Sequence, residues 1–135
     1  MESLLPIVIV LAIATAFGFW HNRSRGKVVV KADKGLITPA MIGADLGSRV
    51  TLLQFSTAFC GPCRATRLLI QDVTADMADV AHVEIDAEAN LELVRQLDIR
   101  STPTTLFLDS RGHEVGRAMG APKRDQVLNA IAAIS

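Results

Sequence analysis

Hydrophobic and polar positions change rhythm several times along this chain, and each change predicts an element. Leu4 to Trp20 is a run of seventeen positions without a charge. As a helix rising about 1.5 Å per residue it covers roughly 25 Å, a little under the ~30 Å hydrocarbon core of a bilayer. Residues 21–35 are then polar and basic, broken by Gly26 and Gly35, with only Val28-Val29-Val30 apolar. They read as a short, partly extended tether. From Leu36 onward strand-like and helix-like stretches alternate, which predicts an α/β domain over residues 36–135.

Within that domain, Val50-Thr51-Leu52-Leu53-Gln54-Phe55 has the apolar density of a buried central strand. Ala65, Leu68, Leu69, Val73 and Met77 recur at helical spacing and predict a helix from Arg64 to about Met77. Val80 to Asp86 alternates like a half-buried strand, and Asn90 is placed to cap a helix carrying Leu91, Val94 and Leu97. Thr104 to Leu108 reads as a strand, Asp109-Ser110-Arg111-Gly112 as a turn, and Glu114 to Met119 as the hairpin partner, with Met119 in the core. A last helix begins near Pro122 and presents Val127, Leu128, Ile131 and Ile134 on one face.

The flanks of the first run favour a single-pass membrane anchor over residues 1–21, followed by a basic tether over 22–35. Phe17, Phe19 and Trp20 place aromatic rings at its end, and His21-Asn22-Arg23-Ser24-Arg25-Gly26-Lys27 follows. One competing reading is a cleaved secretory signal, since Ala14-Thr15-Ala16 resembles a cleavage site, but Met1-Glu2-Ser3 lacks a basic side chain. The other is a helix buried in a soluble domain. No Lys or Arg precedes the run, whereas Arg23, Arg25, Lys27, Lys31 and Lys34 follow it, so the positive-inside rule puts the domain in the cytoplasm. The same cluster would attract anionic membrane lipid. Net formal charge is zero, and nothing recommends a nucleic-acid partner.

The chemistry concentrates in Cys60-Gly61-Pro62-Cys63, which holds the only two cysteines of the chain. Thiols two residues apart can close a small disulfide, so both electrons of a thiol/disulfide couple are exchanged at one place. The pair sits where a strand hands over to a helix. With no third cysteine a structural disulfide framework is not expected, and two cysteines make only half of a tetrahedral zinc set, so no metal is expected. His21 and His113 read as exposed polar residues, and Asp72, Asp76 and Asp79 as a solvated face.

The order of elements resembles thioredoxin over about residues 36–135. The resemblance is carried by Phe59-Cys60-Gly61-Pro62-Cys63-Arg64, by Ile99-Arg100-Ser101-Thr102-Pro103-Thr104, and by Gly120-Ala121. It implies a thioredoxin-like fold, a central mixed β-sheet flanked by helices, here preceded by one transmembrane helix. It implies a cis bond before Pro103, beside the cysteines, with the Thr102 backbone presented to an extended substrate. Cys60 would be the nucleophile, its thiolate favoured by the unpaired N–H groups of a helix N-terminus. Cys63 would be the resolving thiol, and Gly61-Pro62 the tight loop of a reducing member. The implied partners are disulfide-bearing proteins, with a thioredoxin reductase or a membrane electron carrier as donor. No cofactor is implied.

Several positions depart from that pattern. Phe59 stands where thioredoxin has tryptophan, and Leu68 where it has a helix-kinking proline. Gln54 replaces a buried aspartate, and His82 the lysine that accompanies it. Glutamine cannot act as a base, so His82 is the candidate proton relay; the simpler reading is that Gln54 and His82 form a neutral hydrogen-bonded pair. Two further functions stay open: a redox-inactive binding module that uses the Thr102-Pro103 groove, and an outward-facing oxidoreductase in oxidative folding or cytochrome maturation.

Overall fold

The computed structural model describes residues 3–24, 28–29 and 35–134. Helix α1 (Leu4–Ser24) is followed by a two-residue strand β1 (Val28–Val29) and a single turn, α2 (Pro39–Ile42). Then come β2 (Val50–Ser56), α3 (Gly61–Thr74), β3 (Val80–Asp86), α4 (Leu91–Gln96), the hairpin β4 (Thr104–Leu108) and β5 (Glu114–Met119), and α5 (Arg124–Ala132). The sheet order is β1-β5-β4-β2-β3, with β2 parallel to β3 and the other neighbours antiparallel. This is a mixed sheet whose four long strands are β5, β4, β2 and β3, as the alternation of elements predicts.

Alternation along the strands divides the core into two layers. Leu53 and Phe55 of β2 join Leu106 and Leu108 of β4, Ile85 of β3, and Leu93 and Leu97 of α4 on one face. Val50 and Leu52 join Phe107 with Ile70 and Val73 of α3, and Val127 and Ile131 of α5, on the other. All seven residues of β2 are buried, which is why that run reads as apolar in both phases. Gln54 has the parity of Val50 and Leu52, so its side chain points toward the α3 side of the sheet.

Helix boundaries differ from the expected ones for local reasons. Helix α3 starts at Gly61, three residues before Arg64, because Cys60 is its N-cap: the Cys60 Sγ accepts from the Cys63 N–H at 3.2 Å. It ends at Thr74, whose carbonyl accepts from the N–H of Met77 in a closing turn. Asn90 precedes α4, but its amide donates to the Asp86 carbonyl and does not cap the helix. Helix α5 begins two residues beyond Pro122, with the Gln126 Oε1 accepting from the Lys123 N–H. His113 is half-buried near Asp109 and bridges to Leu36, so it is not the exposed residue that its turn position suggests. Met119 is 48% exposed at the end of β5, since the core beneath the strand ends at Ala118. Within the segment read as a tether, Val28 and Val29 pair with Ala118 and Arg117 as an edge strand.

Helix α1 runs three residues past Trp20 before its last residue, Ser24, and its 21 residues reach about 31 Å, enough for a hydrocarbon core. Thr15 donates its hydroxyl to the Leu11 carbonyl, so the one hydroxyl in the middle of the run is satisfied within the helix. Near the C-terminal end the Phe17 ring stacks on His21 and lies tilted against Trp20.

The largest fully buried side chain belongs to Arg117. Its guanidinium donates to both carboxylate oxygens of Glu114 and to the carbonyls of Leu97 and Asp98, tying β5 to the end of α4. Removing one partner would leave a buried charge uncompensated. Glu114→Ala is therefore expected to destabilise the domain by about 3–5 kcal/mol, while an apolar replacement of both residues costs far less. Denaturant midpoints of the two variants check this.

Candidate active site

The β2–α3 junction places the two cysteines by backbone geometry alone. Residues 57–60 leave the sheet at the C-terminal end of β2, and Cys60, extended at φ −120° and ψ 102°, turns the chain into α3. Gly61 and Pro62 form the first turn, where a missing N–H costs nothing. Cys60 and Cys63 are disulfide-bonded with their Cα atoms 5.2 Å apart, so the site is in its oxidised form. Cys60 is half-exposed and Cys63 is completely buried. An incoming thiol or disulfide therefore reaches Cys60 first.

The Thr102–Pro103 peptide is cis, as the resemblance implies. Pro103 is buried, and its carbonyl accepts from the Gly120 N–H at 2.8 Å, which fastens the turn after β5 to the start of β4. A cleft of about 1020 Å³ joins Pro62 of the motif to Ser101, Thr102 and Pro103, to Met119-Gly120-Ala121, and to Phe19, Asn22 and Arg23 of α1. Phe59 projects fully into solvent beside Cys60. The structure thus brings Pro62, Thr102 and Pro103 together around one opening, while Phe59 is not among the residues that line it. Thr57 approaches Thr102 hydroxyl to hydroxyl at 3.5 Å, bridging the cysteine loop and the proline loop.

Beneath the cysteines lies a second set of polar groups. The Gln54 amide donates to the Cys63 carbonyl at 2.9 Å and to the Ser56 hydroxyl at 3.1 Å. Because the Cys63 carbonyl can only accept, the amide nitrogen must face it, and the Gln54 Oε1 then faces His82 Nε2 at 2.9 Å. Neutral His82 accordingly carries its proton on Nε2 and donates it to Gln54. Burial pushes the His82 pKa below its ordinary value of 6.5; Arg67 acts in the same direction and Glu84 against it. Arg67 and Glu84 are themselves paired at 2.6 Å. The Thr105 hydroxyl is buried with no protein partner among the described residues, and Thr105 lies opposite Gln54 in the β2–β4 register.

Sequence reasoning finds Gln54 and His82 but not Ser56, Thr105, Arg67 or Glu84. Ser56 was within reach of parity, being two residues from Gln54 on the same face. Thr105 depends on a strand register that one sequence does not print. Among the described residues no group of three metal-ligating side chains is assembled.

A thioredoxin family model matches residues 43–133. The chain is 31% identical to Thioredoxin H5 of Oryza sativa over 102 residues, which cover 76% of this chain and 75% of the rice protein. Among solved structures, spinach chloroplast thioredoxin f is similar at 33% identity and TM-score 0.57, covering 64% of this chain and 71% of that one. Thioredoxin NaTrxh of Nicotiana alata is similar at 29% identity and TM-score 0.58, over 64% and 73% of the two chains. The protein belongs to the thioredoxin family, and its Cys60–Cys63 pair makes it a thiol-disulfide oxidoreductase. Disulfide-bearing proteins are the substrates of that family.

The His82 geometry has a consequence for stability. In the unfolded chain the histidine takes up a proton near its ordinary value of 6.5; in the fold it does so only at lower pH. The unfolded state binds more protons in that interval, so stability is complete above about pH 6.5 and falls as pH drops through it. His82→Leu should flatten this slope. Urea midpoints measured from pH 5 to pH 8 for native protein and variant test the expectation.

Proposed function

We propose that the chain is a single-pass membrane protein whose thioredoxin domain lies in the cytoplasm and reduces protein disulfides. The observation that carries the redox half is the asymmetry of the cysteine pair. Cys60 is half-exposed at the N-cap of α3, with the Cys63 N–H directed at its sulfur, while Cys63 is sealed beneath it. In the reduced protein the Cys60 thiolate attacks one sulfur of a substrate disulfide. The S–S bond breaks, one substrate sulfur leaves as a thiolate and takes a proton, and a mixed disulfide remains. Cys63 then loses its proton and attacks Cys60, releasing the second substrate thiol. Two electrons pass to the substrate, and the Cys60–Cys63 disulfide is left behind.

Thr102 and Pro103 would hold the extended segment that carries the substrate disulfide, with Phe59 as an apolar flank. Gly61 and Pro62 keep the loop tight. Gln54 holds the Cys63 carbonyl in place, and His82, the candidate relay, donates to Gln54 in its neutral form. Support for the membrane half is α1, which over Leu4–Arg23 is long enough and, on average, apolar enough to span, with the basic residues on its domain side. A thioredoxin-reductase-type enzyme is the natural donor for a cytoplasmic domain, and a membrane electron carrier for an outward one.

Insulin disulfide reduction separates an enzyme from a binding module. Cys60→Ser and Cys63→Ser should each abolish turnover, and the second should trap a mixed disulfide; equal activity in all three proteins would sink the enzymatic reading. Gln54→Asp places a carboxylate near the resolving cysteine and should speed release of the mixed disulfide near neutral pH. An unchanged single-turnover rate removes Gln54 from the kinetics. Labelling of Cys60 by a membrane-impermeant thiol reagent should require lysis of the cells, and labelling of intact cells would place the domain outside.

A further inference from the structure

Strand β1 fixes where the domain is attached to its anchor. Three residues separate Ser24, the end of α1, from Val28, the start of β1. Four Cα–Cα steps span at most about 14 Å however the chain is drawn out. Val28 pairs with Ala118 and Val29 with Arg117, antiparallel to β5, so the chain enters the sheet beside the C-terminal end of β5. That is the end at which the site is built. Met119 pairs with Thr104, Gly120 holds the Pro103 carbonyl, and the C-terminal end of β2 lies alongside, with Phe55 opposite Thr104. Strand β4 is two strand spacings from β1, about 10 Å. The opposite end of the sheet carries the Asp109–Gly112 turn.

Strand direction and tether length together leave little freedom. If β1 ran the other way, or if the link were long, the cysteines could face away from the bilayer. As built, the Pro103 side of the site sits within about 25 Å of the end of α1, and Cys60, after β2 one strand spacing further on, lies at roughly 30 Å. The cleft described above is consistent with this placement, since Phe19, Asn22 and Arg23 of α1 share it with Thr102 and Pro103.

Resting on the membrane-anchor reading, we infer that the catalytic rim faces the membrane surface, and that the partner it selects is an integral membrane protein with its exchangeable disulfide close to the bilayer. Confinement to the same membrane raises the effective concentration of such a disulfide and gives nothing to one held far into solution. The preference on linking is on the order of a hundredfold.

The test uses the full chain in lipid vesicles. One variant carries Cys63→Ser with a fluorophore on Cys60; the other carries Cys60→Ser, Cys63→Ser and Ser110→Cys with the fluorophore at the far turn. Energy transfer to headgroup acceptors should be stronger from position 60, and a long flexible insertion after Gly26 should abolish the difference. Equal or stronger transfer from position 110 overturns the orientation. The second arm uses pre-reduced protein with both cysteines native, in a single turnover against two membrane-anchored peptides. One bears its disulfide directly after its membrane helix, the other beyond a folded spacer domain. The first should react about a hundredfold faster, and the tether insertion should remove the preference; equal rates overturn the partner class. Release of the protein from vesicles by alkaline carbonate overturns the anchor reading itself, a result distinct from either of the others.

Discussion

Every residue of β2 from Val50 to Ser56 is buried; all of them pair with β3, and Thr51 to Phe55 pair with β4 as well. A slip of one residue would turn Leu53 and Phe55 toward α3 and drive Gln54 into the apolar layer against α4. The cost of that exchange holds the register. With the register held, the end of β2 must deliver Cys60 to the head of α3 and Gln54 to the underside of Cys63. The chemistry of the site therefore follows from the packing of one strand, and the cysteines are positioned before any interaction between them is considered.

The same strand explains why the polar set beneath the cysteines is neutral. A buried carboxylate at position 54 would need a partner or a proton, and either would couple the redox reaction to pH. Glutamine needs only hydrogen bonds, and it has them in the Cys63 carbonyl, Ser56 and His82. The histidine in turn stays neutral because burial outweighs the pull of Glu84. What this arrangement gives up is a strong base next to the resolving thiol. What it retains is a fixed Cys63 carbonyl, and hence a fixed first turn of α3.

Much of this was legible in the sequence because it rests on alternation and on turn chemistry. The apolar run of β2, the helix spacing of Leu69, Val73 and Met77, the hairpin around Gly112 and the motif at 60–63 all signal their structures locally. Gln54 and His82 could be paired only through the resemblance, since they lie on neighbouring strands. The misjudged positions share a cause. Met119 has the composition of a core residue but falls one step beyond the core, Asn90 donates to the Asp86 carbonyl instead of accepting from the helix, and His113 was drawn in by Asp109 and Leu36. Val28 and Val29 offered too short a run to announce a strand, and only the free edge of β5 makes them one. Each of these depends on what a neighbouring element presents.

The central claim is that the fold makes the two chemically similar thiols unequal, one offered to a partner and one withheld. Timed alkylation of the reduced domain at neutral pH, with the modified residue identified by peptide mass, measures that inequality directly. The account predicts modification at Cys60 well before any appears at Cys63. Equal rates at the two positions, or earlier modification of Cys63, would contradict it.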